Sequence, residues 1–574
     1  MIYVKPSIAT VYEDFIWKSE QTGLGEKLYA NPPKTFGSFR DRIPLLAQKY
    51  QKTEWHSEDR IKRIQSVLKR INNDLHVLTP RVKENIEKLG YGAIESAHQS
   101  VVLGGPSFIL NKAATAERIA SINSTDEYPL APFFCVADYD IVQNELTHIR
   151  TPLMGSGGTI VSIPVSEGYE FSPVSAIPLP DYSWYEKVED DIWAGYSPMS
   201  KNLEGAAKRV YLERLQIALS IARSGFVNSN TLGEWFTWIM AHLFNISGNI
   251  GTPFLVASDP EVRKLWALGM EILLERENRE RFLNIHNAYT DLIIDGGFET
   301  GIGRREQDYV PFYYECNNPE CHNSRTELSY EARGTNAGLL GKCPSCGNSI
   351  ELEISSSAPD LSEYAVHLSP RVDTRQFIID ASLPVLAHAG GPGETAYYAQ
   401  VIPIANEMNF PFPLYVKYPR VFFNTPWNEN LGKSLEERDF PVLHRSDMFK
   451  IIGKISRFRK KERFEEMNEQ IRDLISFIRS TYQELNQNLQ ELSSRIDNTE
   501  GKADEKDLMT KLDLERYLSW TYGQYAIGKK AQESSWSWIE WAINAGLSDL
   551  FGPYQRAYVG EMNNGSTLFI NFSV

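Results

Sequence analysis

HAGGPGETAYYAQ, residues 388–400, follows the apolar run PVLA without a break and turns through Gly390, Gly391, Pro392, Gly393 and Glu394 into a helical pattern. Glycine lets backbone amides approach a ligand, proline suits a first helical position, and a helix N-terminus attracts anions. The same arrangement occurs earlier: VVLGGPSFILNK, residues 101–112, runs from an apolar strand through Gly104, Gly105 and Pro106 into a helix. Strand, glycine turn and helix, built twice, predict an α/β sheet whose ligands lie beyond the carboxyl ends of its strands. Neither turn is G-x-G-x-x-G or G-x4-G-K-S/T, so each taken alone reads more simply as a tight corner.

Outward from these turns, PLAPFFCVADYD (129–140) reads as a further strand that ends in Asp138 and Asp140. Lys112 follows its Gly-Gly-Pro after five intervening residues and can reach an anion held at its own helix start; it also reads as a solvated helix lysine. Glu394 in a first helical turn complements the helix dipole, or faces a pocket and binds an amine or takes a proton. Cys135, alone in an apolar strand, reads as a small buried hydrophobe.

Four of the five cysteines fall in one cluster, Cys316-x4-Cys321 and Cys343-x2-Cys346, separated by 21 residues. Four soft ligands on two turns predict a structural zinc with no open position, stapling a small β-ribbon. Around it, residues 1 to about 95 show charged helical periodicity, with Ile61, Ile64, Val67, Leu68 and Ile71 on one face, and residues 200–290 read as long amphipathic helices. Beyond residue 450, apolar positions from Phe464 to Ile496 recur every three and four residues. That spacing predicts a coiled-coil arm, with NTEGKADEK (498–506) turning the chain into an antiparallel returning helix from Leu508 to about Tyr525.

The net charge of −15 disfavours nucleic acid, which needs clustered Lys and Arg on one face. Nowhere does an uncharged apolar stretch approach the roughly 20 residues that span a bilayer, and the N-terminal residues lack a basic and apolar leader pattern. A cytoplasmic protein without a membrane partner is the expectation.

Several separated stretches together resemble the bacillithiol-biosynthesis cysteine-adding enzyme family. HQSVVLGGPSFILNKA (98–113) resembles its QQ-x4-GGP-x5-K segment, and APFFCVADYDIVQNELTH (131–148) its strand ending in an acidic and histidine motif. LSPRVDTRQFIIDASLPVLAHAGGPGETAYYAQVIPIANEMNFPFPLYVKYPR (368–420) follows its S-P-x-V-x-x-R, G-G-P-G-E and A-Y-x-A-Q pattern in order. His98 stands where the family has a glutamine, and Ala137-Asp138-Tyr139-Asp140 where Glu-Asp-His-Asp is expected. The zinc ribbon is not usual in the bacterial members.

The resemblance implies a Rossmann-like core similar to nucleotidylyl transferases and class I aminoacyl-tRNA synthetases, with helical connecting insertions and a dimerising coiled coil. It places the N-terminal part of that core at 1–200, a helical connecting region at 201–309 and the zinc ribbon at 310–355. The rest of the core then falls at 356–445, the arm at 446–530, and a segment packing back on the body at 531–574.

The implied activity joins the carboxylate of cysteine to the amine of a glucosaminyl malate; because a free carboxylate needs activation by adenylation or phosphorylation, ATP or ADP is the nucleotide expected. The implied binding positions are His98, Gln99, Gly104, Gly105, Pro106, Gly390, Gly391, Pro392, Gly393 and Tyr397. Lys112 and Arg375 would offset developing charge, while Asp138, Asp140 or His148 would bind or deprotonate the amine and Glu394 would act beside them. Arg375 also reads as a surface partner of Asp373 or Asp380.

Two other classes stay open. The ribbon and KISRF (454–458), which resembles a K-M-S-K-S loop, suggest an aminoacyl-tRNA-synthetase-like protein, although no H-x-G-H segment accompanies them. A non-enzymatic zinc and coiled-coil scaffold is the third.

Overall fold

The computed structural model of this chain describes residues 5–17, 23–151, 159–443, 450–451, 453–455, 457–458, 461, 463–498, 504–525, 532–558, 562 and 564–572. Its centre is a five-stranded, all-parallel sheet in the spatial order Leu414–Lys417, Val385–Gly390, Ala93–Gln99, Ala131–Ala137, Phe254–Val256. Numbered along the chain, that order is 5-4-1-2-3, the doubly wound arrangement of a Rossmann-like fold. APFFCVA and VLAHAG are buried at every position, as strands covered on both faces by helices require.

The chain leaves the central strand Ala93–Gln99 in one direction through the helix Phe108–Asn123. It returns on the other side through Val385–Gly390 and the helix Pro392–Met408. The order reverses between Ala93–Gln99 and Val385–Gly390, so a crevice opens at their carboxyl ends. Both Gly-Gly-Pro turns leave the strands that border that crevice.

The stretch read as a helical connecting region, 201–309, holds the helices Gly205–Val227, Leu232–His242, Pro260–Leu274 and Arg276–Asp295, but also the core strand Phe254–Val256. Three residues are too few to show a period, which is why helical texture masks the strand.

The cysteine-bearing insertion is an antiparallel sheet in the order Leu368–Pro370, Tyr309–Glu315, Arg325–Arg333, Asn336–Lys342, Ser349–Ser355. It is fixed to the body by a buried bidentate pair. Arg263 Nη1 and Nη2 lie 2.6 and 2.7 Å from Glu315 Oε2 and Oε1.

Beyond the core, the helices Phe464–Asp497 and Glu505–Tyr525 pack on each other and on Pro426–Glu436, burying Leu431, Leu435, Leu485, Leu492, Leu514 and Tyr517. Arg495, near the end of the first helix, reaches Asp507 near the start of the second, with Nε 3.6 Å from Oδ2. Of the stretch read as the turn of the arm, 498–506, residues 499–503 lie outside the described residues, as does Ser456 of KISRF. The C-terminal segment buries Trp536, Trp538 and Trp541 against the core, and Thr567–Asn571 pairs in parallel with Arg420–Asn424. Among the described residues no helix is long and apolar enough to cross a membrane.

Candidate active site

A cavity of about 740 Å³ occupies the crevice at the switch point. His98 and Gln99 reach it from the end of the central strand, Lys112 from the helix that follows, and Asp140 from the loop after Ala131–Ala137. Gly393, Glu394 and Tyr397 reach it from the opposite helix, and Arg375 from the helix Arg375–Asp380. The insertion closes the remaining side with Tyr313, Arg325 and Lys342.

Beneath the cavity runs a chain of alternating charge. Arg375 Nη2 bonds to Glu95 Oε1, Glu95 Oε2 lies 3.1 Å from His388 Nδ1, and His388 Nε2 lies 3.8 Å from Glu394 Oε1. Lys112 Nζ completes the chain 2.5 Å from Glu394 Oε1 and also donates to the carbonyl of Ala97 at 3.1 Å. Burial pushes the Glu95 carboxyl up, but Arg375 and His388 outweigh it and leave it lowered to about 2. Burial likewise opposes ionisation of Glu394, and Lys112 and His388 reverse that, holding it well below the usual carboxylate range. Burial lowers His388, while Glu95 and Glu394 raise it to a net upward shift.

Glu95 and His388 escaped the motif reading. They are cross-strand partners in the parallel ladder. The available signal was the interruption of two buried strands by ionisable residues, since such strands otherwise read as near-continuous apolar runs.

The stretch HAGGPGE holds its own anion. Glu394 Oε2 accepts from the Gly391 N–H at 2.7 Å, capping the helix with a side chain from its first turn. Of this turn, Gly393 and Glu394 line the cavity, whereas Gly390 and Gly391 pack under Tyr415, Tyr418 and Glu394 and Pro392 sits at the exposed helix start.

The first turn, with Gly104, Gly105 and Pro106, stands apart from the second. These residues do not line the cavity. Trp538 Nε1 donates to Leu103 O at 2.8 Å, the Trp538 N–H donates to Gly105 O at 3.2 Å, and Ser107 N–H donates to Trp536 O at 2.9 Å. Gly104 and Gly105 have φ of +78° and +77°, and a Cβ on Gly104 would come 2.8 Å from Trp538 Nε1. That turn is a corner sealed by the C-terminal segment.

Asp138 and His148 also lie away from the cavity. Asp138 is buried and accepts from the Ser258 N–H at 2.9 Å and the Ser258 hydroxyl; burial raises it, and despite those bonds its carboxyl reaches about 6. His148 is exposed at the start of the two-stranded pair His148–Thr151 and Thr159–Ser162, between Thr147 Oγ1 at 2.8 Å and Ser162 Oγ at 3.0 Å. Arg375 is buried on Glu95, not a surface partner of Asp373, which instead holds Arg305 at 2.7 Å.

Asp140 does belong to the cavity. Gln99 Nε2 donates to its Oδ2 at 2.6 Å, and Arg325 Nη1 lies 3.3 Å from its Oδ1. His98 packs against Phe108, with ring centroids 5.1 Å apart, and its Nδ1 lies 2.8 Å from Gln99 O. Burial, with Lys112 nearby, lowers its pKa to about 4. At neutral pH the ring is therefore uncharged, and Nδ1–H donation to that carbonyl leaves Nε2 as the acceptor.

The sulfurs of Cys316, Cys321, Cys343 and Cys346 lie within 4.8 Å of one another. A tetrahedron with bonds of about 2.3 Å places neighbouring sulfurs about 3.8 Å apart, and Cys316 Sγ and Cys346 Sγ are 3.8 Å apart. The donor set fits a soft divalent metal with no vacant position. Cys135 takes no part; it is buried in its strand, and burial pushes its thiol up to about 12.

A parallel sheet with a cavity lined in part by charged side chains at its switch point, flanked by two strand-turn-helix units, defines a Rossmann-like core. The chain belongs to the family described as bacillithiol biosynthesis BshC, whose N-terminal Rossmann-like domain matches residues 4–420. Similar proteins from Symbiobacterium thermophilum and Chloroherpeton thalassium are each named "Putative cysteine ligase BshC". The first is 24% identical over 336 residues (56% of this chain, 54% of that protein), the second 26% identical over 393 residues (67% and 62%). This chain thus spans little more than half the length of the curated relatives it matches.

Proposed function

We propose that this chain is a carbon–nitrogen ligase of low-molecular-weight thiol biosynthesis, joining the carboxylate of an amino acid, cysteine by family, to the amine of an amino-sugar or similar small acceptor. The observation that carries this reading is the buried chain Arg375–Glu95–His388–Glu394–Lys112, which presents an ammonium and a carboxylate side by side to a cavity at the switch point. Family membership and the names of the relatives support it.

Amide formation needs an activated carboxylate, which ATP supplies in this proposal. The acceptor nitrogen attacks the acyl carbon, the C–N bond forms, and the leaving group departs with the electron pair of its bond to that carbon. Lys112 offsets charge on the acyl oxygen, and Glu394 holds Lys112 in place. The attacking amine must lose a proton. In this proposal uncharged His98 or Asp140, both at the cavity wall, takes that proton. Arg375 keeps Glu95 ionised below the floor, which holds His388 and through it Glu394.

In the same proposal the protein is a cytoplasmic homodimer joined through its long helices, and the four cysteines hold a structural zinc. Mass spectrometry of the purified chain with ATP, cysteine and candidate amines tests the activity; an ATP-dependent amide is expected. Absence of any amide across amino-sugar acceptors, with the fold intact, would overturn it.

A further inference from the structure

The cysteine-bearing insertion forms one wall of the cavity, and its charges are unevenly used. Arg325 donates from Nη2 to Pro370 O at 2.9 Å and from Nε to Ser369 Oγ at 3.1 Å, besides pairing with Asp140. Arg371 Nη2 holds Glu327 Oε1 at 2.6 Å. With Lys112 on Glu394 and Arg375 on Glu95, every charged side chain described at the cavity wall has an opposite partner except Lys342. Among the described residues no ion pair or hydrogen bond engages its ammonium, and the residue stands exposed at the rim.

The position of Lys342 is set by the cysteine cluster. It ends the strand Asn336–Lys342, pairs in register with Ser349, and is followed directly by Cys343, whose N–H donates to Asn348 O at 2.9 Å. Gly347, at φ +71°, lies beneath the lysine: a Cβ there would stand 3.7 Å from Lys342 Cε. A metal held by the four thiols would fix this knuckle and with it the lysine.

We propose that Lys342 is a specificity-determining residue, by which the insertion selects substrates that carry a carboxylate on the part of the molecule at the cavity rim. One unpaired cation matches one monoanionic group, and a rim lysine engages it as a point charge without demanding bidentate geometry. The amino-sugar scaffold of the probes rests on the proposed ligase function; the role of Lys342 is read from binding alone.

The test uses the full, metal-loaded chain and two probes, muramic acid and glucosamine, amino sugars with and without a carboxylate, in calorimetric titrations. A rim ion pair predicts that muramic acid binds three- to fivefold more tightly. Lys342→Ala should abolish that preference with glucosamine affinity, metal content and melting temperature unchanged, and Lys342→Arg should restore it. A wild type without the preference, or a Lys342→Ala chain that keeps it, overturns the proposal. Failure of the ligase function shows separately, as absence of amide product from a chain that still discriminates the two sugars.

Discussion

Glu95 and His388 stand opposite each other in the parallel ladder, with Oε2 3.1 Å from Nδ1, both wholly buried and nearly 300 residues apart in the chain. The pair joins the two halves of the core at the switch point and links Arg375 to Lys112 through one continuous line of charge.

Its pH dependence has a definite sign. Glu95 falls from 4.5 unfolded to about 2 folded, so its stabilisation is present above pH 4.5 and is lost as pH falls toward 2. His388 is raised above 6.5, so its stabilisation is present below 6.5 and is lost as pH rises through its folded value. Urea midpoints of the wild type should therefore decline on the alkaline side as well as in acid. His388→Gln should shrink the alkaline decline and leave the part that comes from Glu533 and Glu540, whose carboxyls burial raises to about 8; an unchanged alkaline limb would refute the assignment.

Lys112 and Glu394 form a pair with only 4% and 17% of their side chains exposed. Lys112→Met leaves a nearly buried carboxylate facing His388 and should cost about 3 kcal/mol. Lys112→Met with Glu394→Gln should recover most of that stability in denaturant titrations, yet amide formation should stay at least about 100-fold down, as for loss of a transition-state charge. Recovery of activity in the double variant would remove Lys112 from the mechanism.

The two glycine turns should respond in opposite ways. Gly104→Ala forces a Cβ onto a positive-φ residue against Trp538 and should cost about 3 kcal/mol, read by thermal or chemical unfolding. Gly393→Ala meets no atom within 4 Å and should leave stability unchanged, while its methyl group enters the cavity and raises KM for the ligase substrates.

The four thiols should hold one equivalent of zinc, measured by elemental analysis of the purified chain. Its removal by chelator, or Cys343→Ser, should open residues 310–355 to limited proteolysis and weaken the contacts of Arg325 with Asp140 and Pro370. A metal-free chain whose ribbon resists protease as well as the wild type would show that the cysteines serve another purpose.

Local spacing carried the α/β class, the two strand-turn-helix units, the cysteine cluster and the candidates Lys112 and Glu394, to which the family resemblance added Asp140 and Arg375. Each rests on residues close together in sequence, where glycine, proline, periodicity and ligand spacing act over a few positions. Motif position alone treated the two Gly-Gly-Pro turns as equivalent. They differ because Trp538, more than 400 residues later, closes the first, while a carboxylate from its own helix caps the second. Asp138 and Asp140 are similarly alike in sequence, but the strand pleat and the loop after Phe254–Val256 turn one into the protein and the other toward Gln99 and Arg325. Tertiary structure alone decided that Glu95 meets His388 and that the ribbon walls the cavity. Strand register and the docking of an insertion depend on burial and charge pairing between distant segments, and neither leaves a periodic mark on the chain.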